Sequence, residues 1–239
     1  VEKFGEYFRV LVSPEIESKF SAELAAAPNV TRIPTLSFSA YHPDCTYAGG
    51  ASGMLNGPMD AYHSIIILAA FNSGLSAKDA EGLFRGEVYE RVGFTDYWIP
   101  QRDRLVESFS NHGYDISNEI RRWGRHEAWM HTIDHPKMPP IYDVARAIMR
   151  SMGVEDEGAR VLPEDNLTKG CSWAVYPEIG EAVGVPGSLR FKKFNDYRHI
   201  GLPQLIREFY TVYEQEPAGS VHTIAEARSA YNRVLEAIG

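Results

Sequence analysis

Four side chains able to move protons or hold anions fall within seven residues: His131, Asp134, His135 and Lys137, in the run A-W-M-H-T-I-D-H-P-K at 128–137. Two imidazoles, a carboxylate and an ammonium are the groups that general acid–base chemistry draws on. Pro136 removes a backbone donor and pushes His135 out of the α region, so that histidine sits at a helix exit or in a loop. It either faces a cleft there or belongs to a plain helix-to-helix connection. His42-Pro43-Asp44 is a second candidate, directly after a strand-like run, where open α/β folds carry binding groups. Asp44 can orient His42 as a base, or cap backbone donors in an Asx-type turn. His63 is a third, either a core-edge histidine bonded to backbone or one delivered to the cleft by a central helix. Lys192 and Lys193 lie between Phe191 and Phe194, a pattern that suits a phosphate beside an aromatic face or a guarded edge strand. Arg146 and Arg150, four apart, make a solvated helix face or a phosphate site.

Several chemistries are not spelled out. His131 and His135 are four apart, yet no Glu follows the first and a Pro follows the second, so no zinc hydrolase motif is present and no metal is expected. No G-x-S-x-G elbow occurs, and the glycines at 49–57 match neither phosphate-loop pattern. What remains is a histidine base acting on a hydroxyl beside a donor pocket, or a cysteine next to a histidine, with Cys45 adjoining the His42–Asp44 triplet.

These groups need elements to position them. Phe8–Ser13 alternates as a short strand, Ile16–Ala27 reads as a helix and Val30–Tyr41 as a strand interrupted at Pro34, which together make one α/β unit. Pro58–Asn72 reads as a helix buried on nearly every side, because Ile65, Ile66, Ile67, Leu68 and Phe71 cover its circumference. Helices follow over Ala77–Arg91, Trp98–Asn111, Asp115–Trp123, Ile141–Met152, Tyr176–Val183, Leu202–Tyr213 and Thr223–Ile238. Ser188–Asn195 reads as an edge strand, and the acidic stretch from Gly153 to Lys169 as an exposed connection. The fold class is α/β, predominantly helical, with a small N-terminal strand-helix-strand unit and a large helical region around a buried central helix. We expect one domain over 1–239, in an α/β part (1–57), a helical part (58–153) and a C-terminal lobe (154–239).

The 239 residues carry a net charge of −8, which argues against a nucleic-acid partner, since that needs a basic surface. No apolar run reaches the length of a membrane span, and the first residues lack the pattern of a signal peptide. Two cysteines do not make a disulfide framework, so a reduced, cytoplasmic setting is expected.

Five segments in order carry a family resemblance: F-S-A-Y-H-P-D, G-P-M-D-A-Y-H-S, G-L-S-A-K-D-A-E-G-L-F, M-H-T-I-D-H-P-K and V-Y-P-E-I-G-E-A-V-G-V-P-G-S-L-R-F-K. Over Ile33 to Tyr213 the chain resembles the WcbI-type capsular polysaccharide biosynthesis family. That resemblance implies a mostly helical fold, coenzyme A as donor substrate (as acetyl-CoA), and O-acetyl transfer to a sugar of a capsule or other surface polysaccharide precursor. It carries His42, Asp44, His63, His131, His135 and Lys137 over as matches to family motifs. We infer their roles: His42, Asp44, His63 and His135 are expected to be catalytic, with His42 or His135 as base and Asp44 orienting it, and His131, Lys137, Lys192 and Lys193 are expected to contact coenzyme A. The alternatives are a non-catalytic subunit binding coenzyme A or a sugar nucleotide, and a sugar sulfotransferase or hydrolase. Family members commonly open with a strand and a Gly-Asn-Cys or Gly-Ser-Cys turn; this sequence either starts beyond that turn or lacks it.

Overall fold

The protein's structure, a computed structural model, describes residues 7–25, 27, 29–154 and 161–239. Branched residues set the first unit. Val10–Val12 (β1) and Val30–Arg32 (β2) pair in parallel, Val10 opposite Val30. Pro14–Lys19 (α1) and Ser21–Ala25 (α2) connect them, in two pieces where one helix was expected. Pro14 opens α1 as well as closing β1, because a first-turn proline lacks only an N–H that the helix cannot use. The expected end of that helix at 26–28 falls partly outside the described residues. The expected strand Val30–Tyr41 stops at Arg32. Pro34 cannot donate to a ladder, and the chain runs on outside any strand to bury Phe38.

Cys45–Gly50 (β3) is the hub of the second sheet. It pairs antiparallel with Gly53–Met54 (β4) and with Tyr62–Ser64 (β5). The expected helix from Pro58 therefore begins later, as Ile65–Asn72 (α3). Ser64 fixes the start: its hydroxyl accepts from the Ile67 N–H at 3.0 Å, and Asp44 accepts from the Ile66 N–H at 2.8 Å. Upstream, Asp60 takes a left-handed φ of 58°, which no helix admits. Residues Ile65 to Ala70 are all buried, so the central helix is sealed on every side, as its composition predicts.

The expected helix Ala77–Arg91 breaks into Ala77–Glu81 (α4) and Gly86–Val92 (α5), with Gly82 and Gly86 flanking the break. Trp98–Asn111 (α6) has the bounds the pattern predicts. Ser117–Trp123 (α7) starts where Asp115 accepts from the Ser117 N–H. Met138–Ser151 (α8) takes Pro139 and Pro140 into its first turn instead of following them. Of the expected acidic connection, residues 155–160 lie outside the described residues.

Pro177–Val183 (α9) leads to the hairpin Arg190–Lys192 (β6) and His199–Gly201 (β7), then to Leu202–Tyr213 (α10), again with the predicted bounds. His222–Thr223 (β8) joins the far edge of β3, so Arg228–Ile238 (α11) starts five residues later than its pattern suggests. α4, α10 and α11 pack on α3, and one buried cluster runs from Phe38 to Val234. The fold is α/β and mostly helical, as expected. No helix among the described residues is long and apolar enough to cross a membrane.

Candidate functional site

The run at 128–137 folds as a narrow loop. Met130 bridges to Pro136, the His131 N–H donates to the His135 carbonyl at 2.7 Å, and the Lys137 N–H to the Trp129 carbonyl at 2.9 Å. The loop's tip carries Ile133 and Asp134, and the Phe38 N–H anchors it through the Ile133 carbonyl at 2.7 Å. Beside that tip lies a cleft of about 460 Å³. Pro14, Pro34 and Thr35 bound it, just past the carboxyl ends of β1 and β2, where parallel strands place ligands. α6 forms the opposite wall with Gln101, Arg104 and Ser108; His112 follows at its end. Spacings of three, four and four put these polar groups on one helical face. A second cavity, of about 370 Å³, shares Ser39, Tyr47, Gln101, Arg104 and Ile133 with the first and extends toward α11.

Asp134 is the carboxylate of the cleft. Tyr47 and Tyr62 face each other across the β3–β5 ladder, rings stacked at 5.5 Å, and both hydroxyls donate to it. The Tyr62 bond is 2.5 Å, and Thr132 adds a third donor at 3.0 Å. Burial, and then the hydrogen bond to Asp134, pushes both phenols well above their usual range, so they stay protonated donors. His135 Nε2 lies 3.4 Å from the Tyr62 oxygen, which continues the chain inward, and its Nδ1 is buried without a partner.

The other sequence-selected residues stand elsewhere. His42 and Asp44 do not pair. His42 Nδ1 faces the Ala174 carbonyl at 3.2 Å, and burial lowers its pKa to about 4. Asp44 accepts instead from Ser64 and Tyr176, each at 2.5 Å, and from the Ile66 N–H, because α3 starts directly above it. Burial raises its pKa to about 7 against these bonds. His63 lies on β5 and not on the central helix. Both its nitrogens are occupied, by the Tyr213 hydroxyl and the Leu55 carbonyl at 2.9 Å each, and burial lowers its pKa to about 4.

His131 bonds Asp165 at 3.1 Å. Lys137 pairs with Glu127 at 2.6 Å and Lys193 with Glu208 at 3.2 Å. Lys192 is buried on the Gly170 carbonyl at 2.7 Å. The expected convergence of His42, Asp44, His63 and the 128–137 run on one cleft is thus realised only by Asp134 and Ile133 at the loop tip. His42, Asp44, His63, His131, His135, Lys137, Lys192 and Lys193 line neither joined cavity. No group of three His, Cys, Asp or Glu able to hold a metal occurs among the described residues.

Tyr47, Gln101, Arg104 and His112 were not singled out from the sequence. The signal for three of them is the α6 spacing, which puts Gln101, Arg104 and His112 along one flank of Leu105 and Phe109.

A family model described as the polysaccharide biosynthesis enzyme WcbI matches residues 11–157. The chain belongs to the WcbI family. One solved structure, described as the native form of WcbI, a novel polysaccharide biosynthesis enzyme, without a disulfide bond between coenzyme A and one of its cysteines, superposes with a TM-score of 0.65. It is 14% identical, and the match covers 98% of this chain and 79% of that one. No curated protein sequence matches. In this chain β1 runs through Ser13 into Pro14 of α1, so the turn of this unit holds no cysteine. Cys45 and Cys171 are both buried and free, and burial pushes both thiols up, Cys171 to about 11.

Proposed function

We propose that this WcbI-family protein transfers an acyl group from coenzyme A to a hydroxyl of a surface-polysaccharide precursor, in the cleft between β1, β2 and α6. The family assignment supports polysaccharide biosynthesis, and the similar structure supports coenzyme A as the ligand class. The observation that carries the reading is Asp134, held by Tyr47 and Tyr62 on the wall of a cleft that also presents Arg104.

In this reading the acceptor hydroxyl gives its proton to Asp134 as its oxygen attacks the thioester carbon. The C–O bond forms, the C–S bond breaks, and the proton returns from Asp134 to the departing sulfur. Tyr47 stays protonated and, with its one O–H given to Asp134, holds that carboxylate in position for the proton transfer. Tyr62 and His135 act from behind, fixing the carboxylate. Neither Cys45 nor Cys171 serves as the nucleophile, since both thiols are buried and pushed away from the thiolate. The free cysteines fit a reducing, cytoplasmic compartment.

The test is incubation with acetyl-CoA and a panel of nucleotide sugars, following free thiol and the mass of the sugar product. Acetylated sugar formed by the wild type and lost in Asp134→Asn supports the reading. Coenzyme A binding with no turnover on any acceptor would reduce the protein to a binding subunit, and no coenzyme A binding at all removes the donor.

A further inference from the structure

We infer that the second cavity, between α6, β3 and α11, is the acceptor subsite and that it takes a glycosyl phosphate; this rests on the acyl-transfer reading above. Tyr47 lines both cavities, so the Asp134–Tyr47 pair stands at their seam. A donor in the larger cleft and an acceptor in the smaller cavity then meet at the group that takes the proton.

The cavity's walls have the chemistry of a sugar site with one anionic end. Tyr97 supplies an aromatic wall, and Gln101, Glu226 and Ser229 supply an amide, a carboxylate and a hydroxyl. Sugar hydroxyls both donate and accept, so this mixed set suits them better than a purely apolar or purely cationic lining.

The two arginines differ. Arg233 is tied down, its Nε donating to the Val92 carbonyl at 2.7 Å and its Nη1 to the Ser229 hydroxyl at 2.9 Å. Arg104 has no hydrogen bond or ion pair with any described residue, and it lines both cavities at their junction. A free guanidinium fork matches two oxygens of a phosphate. Glu226 disfavours a ligand that is anionic throughout. A phosphate at the Arg104 end and a neutral sugar ring toward Tyr97 and Ser229 satisfies both walls. At about 370 Å³ the cavity is the size of a small-ligand site.

The experiment is titration calorimetry of the full chain with glucose 1-phosphate, galactose 1-phosphate, UDP-glucose, UDP-galactose, unphosphorylated glucose and coenzyme A. Ser229→Phe fills the smaller cavity and leaves the larger one untouched; Glu226→Phe, at another exposed wall position, replaces it if that variant does not fold. Arg104→Gln removes the free cation. At least one phosphorylated sugar should bind the wild type, about tenfold or more weakly once the cavity is filled, and about tenfold more weakly in Arg104→Gln. Coenzyme A affinity in the filled variant should stay within about twofold of wild type. The inference is overturned if no phosphorylated sugar binds, if glucose binds as tightly as its phosphate, or if filling the cavity leaves sugar-phosphate binding intact or weakens coenzyme A as much. Absence of coenzyme A binding to the wild type would sink the donor assignment, while the sugar-phosphate titrations still decide what the cavity takes.

Discussion

Asp44 and Asp134 are built from the same parts and placed in opposite surroundings. Asp44 accepts from a serine hydroxyl, a tyrosine hydroxyl and a backbone N–H. Asp134 accepts from two tyrosine hydroxyls and a threonine hydroxyl. Asp44 is fully enclosed beneath α3, and burial drives its acid toward the protonated form near pH 7. Asp134 keeps an edge on the cleft. The list of donors therefore does not separate a carboxylate enclosed in the core from one on a cleft wall; access does. His63 and His135 repeat the contrast. His63 has both nitrogens satisfied inside the core, whereas His135 touches the phenol that orients the cleft carboxylate.

The comparison breaks most visibly if the two aspartates are exchanged in importance. Asp134→Asn should lower acyl transfer by about 10²–10⁴-fold, the range for a lost general base, with little change in melting temperature because volume and accepting oxygen are kept. Thiol release and a thermal melt measure the two effects together. Transfer within tenfold of wild type would show that the cleft carboxylate is not the base. Asp44→Ala should act the other way. It strands the Ser64 and Tyr176 hydroxyls and the Ile66 N–H in the core, at a cost of about 2–4 kcal/mol in urea unfolding. Transfer per folded molecule should persist. A variant as stable as wild type but inactive would return Asp44 to the catalytic list.

The pH dependence of stability sharpens the buried half. His42 and His63 have folded pKa values lowered to about 4 from an ordinary value of 6.5. Their contribution is present above pH 6.5 and is lost as pH falls toward 4. Asp44 has its folded pKa raised to about 7 from 3.8, so its contribution is full below 3.8 and is lost as pH rises through 7. The two act oppositely over the same window and partly cancel. Asp44→Asn removes the opposing half, so its unfolding free energy should fall more steeply than wild type on acidification from pH 6.5 to 4. Parallel curves for the two proteins would mean that Asp44 is ionised in the fold throughout.

The sequence disclosed what local periodicity controls. α6 and α10 have the bounds their spacing predicts, and Ile65–Ala70 are sealed as that apolar block demands. It concealed what depends on long-range pairing. Reading Pro58–Asn72 as one helix hid β5, and with it the cross-strand pair Tyr47–Tyr62 that converges on Asp134. Nothing local marks residues 15 apart as neighbours. The 128–137 run reaches the cleft, though through Ile133 and Asp134 and not through its histidines. The loop closes through the backbones of His131 and His135 and leaves Asp134 at its tip. A proline after His135 predicts a loop; it does not say which side chains that loop turns outward.

The smallest expected effect extends the comparison to the cations. Lys137 looked like a phosphate contact, yet its ammonium is engaged by Glu127, whose side chain is 69% exposed. A pair of that kind contributes about 0–1 kcal/mol, since water screens it and two long side chains must be ordered. Lys137→Ala should therefore shift the urea midpoint barely above error and leave coenzyme A affinity unchanged. Arg104 has no such partner and stands between two cavities, so the charge it offers a ligand is not already neutralised. A drop in coenzyme A affinity of tenfold or more in Lys137→Ala would reverse this ordering. It would mean that Glu127 releases the ammonium to the ligand, and that the donor reaches beyond the cleft toward the narrow gap beside Trp129.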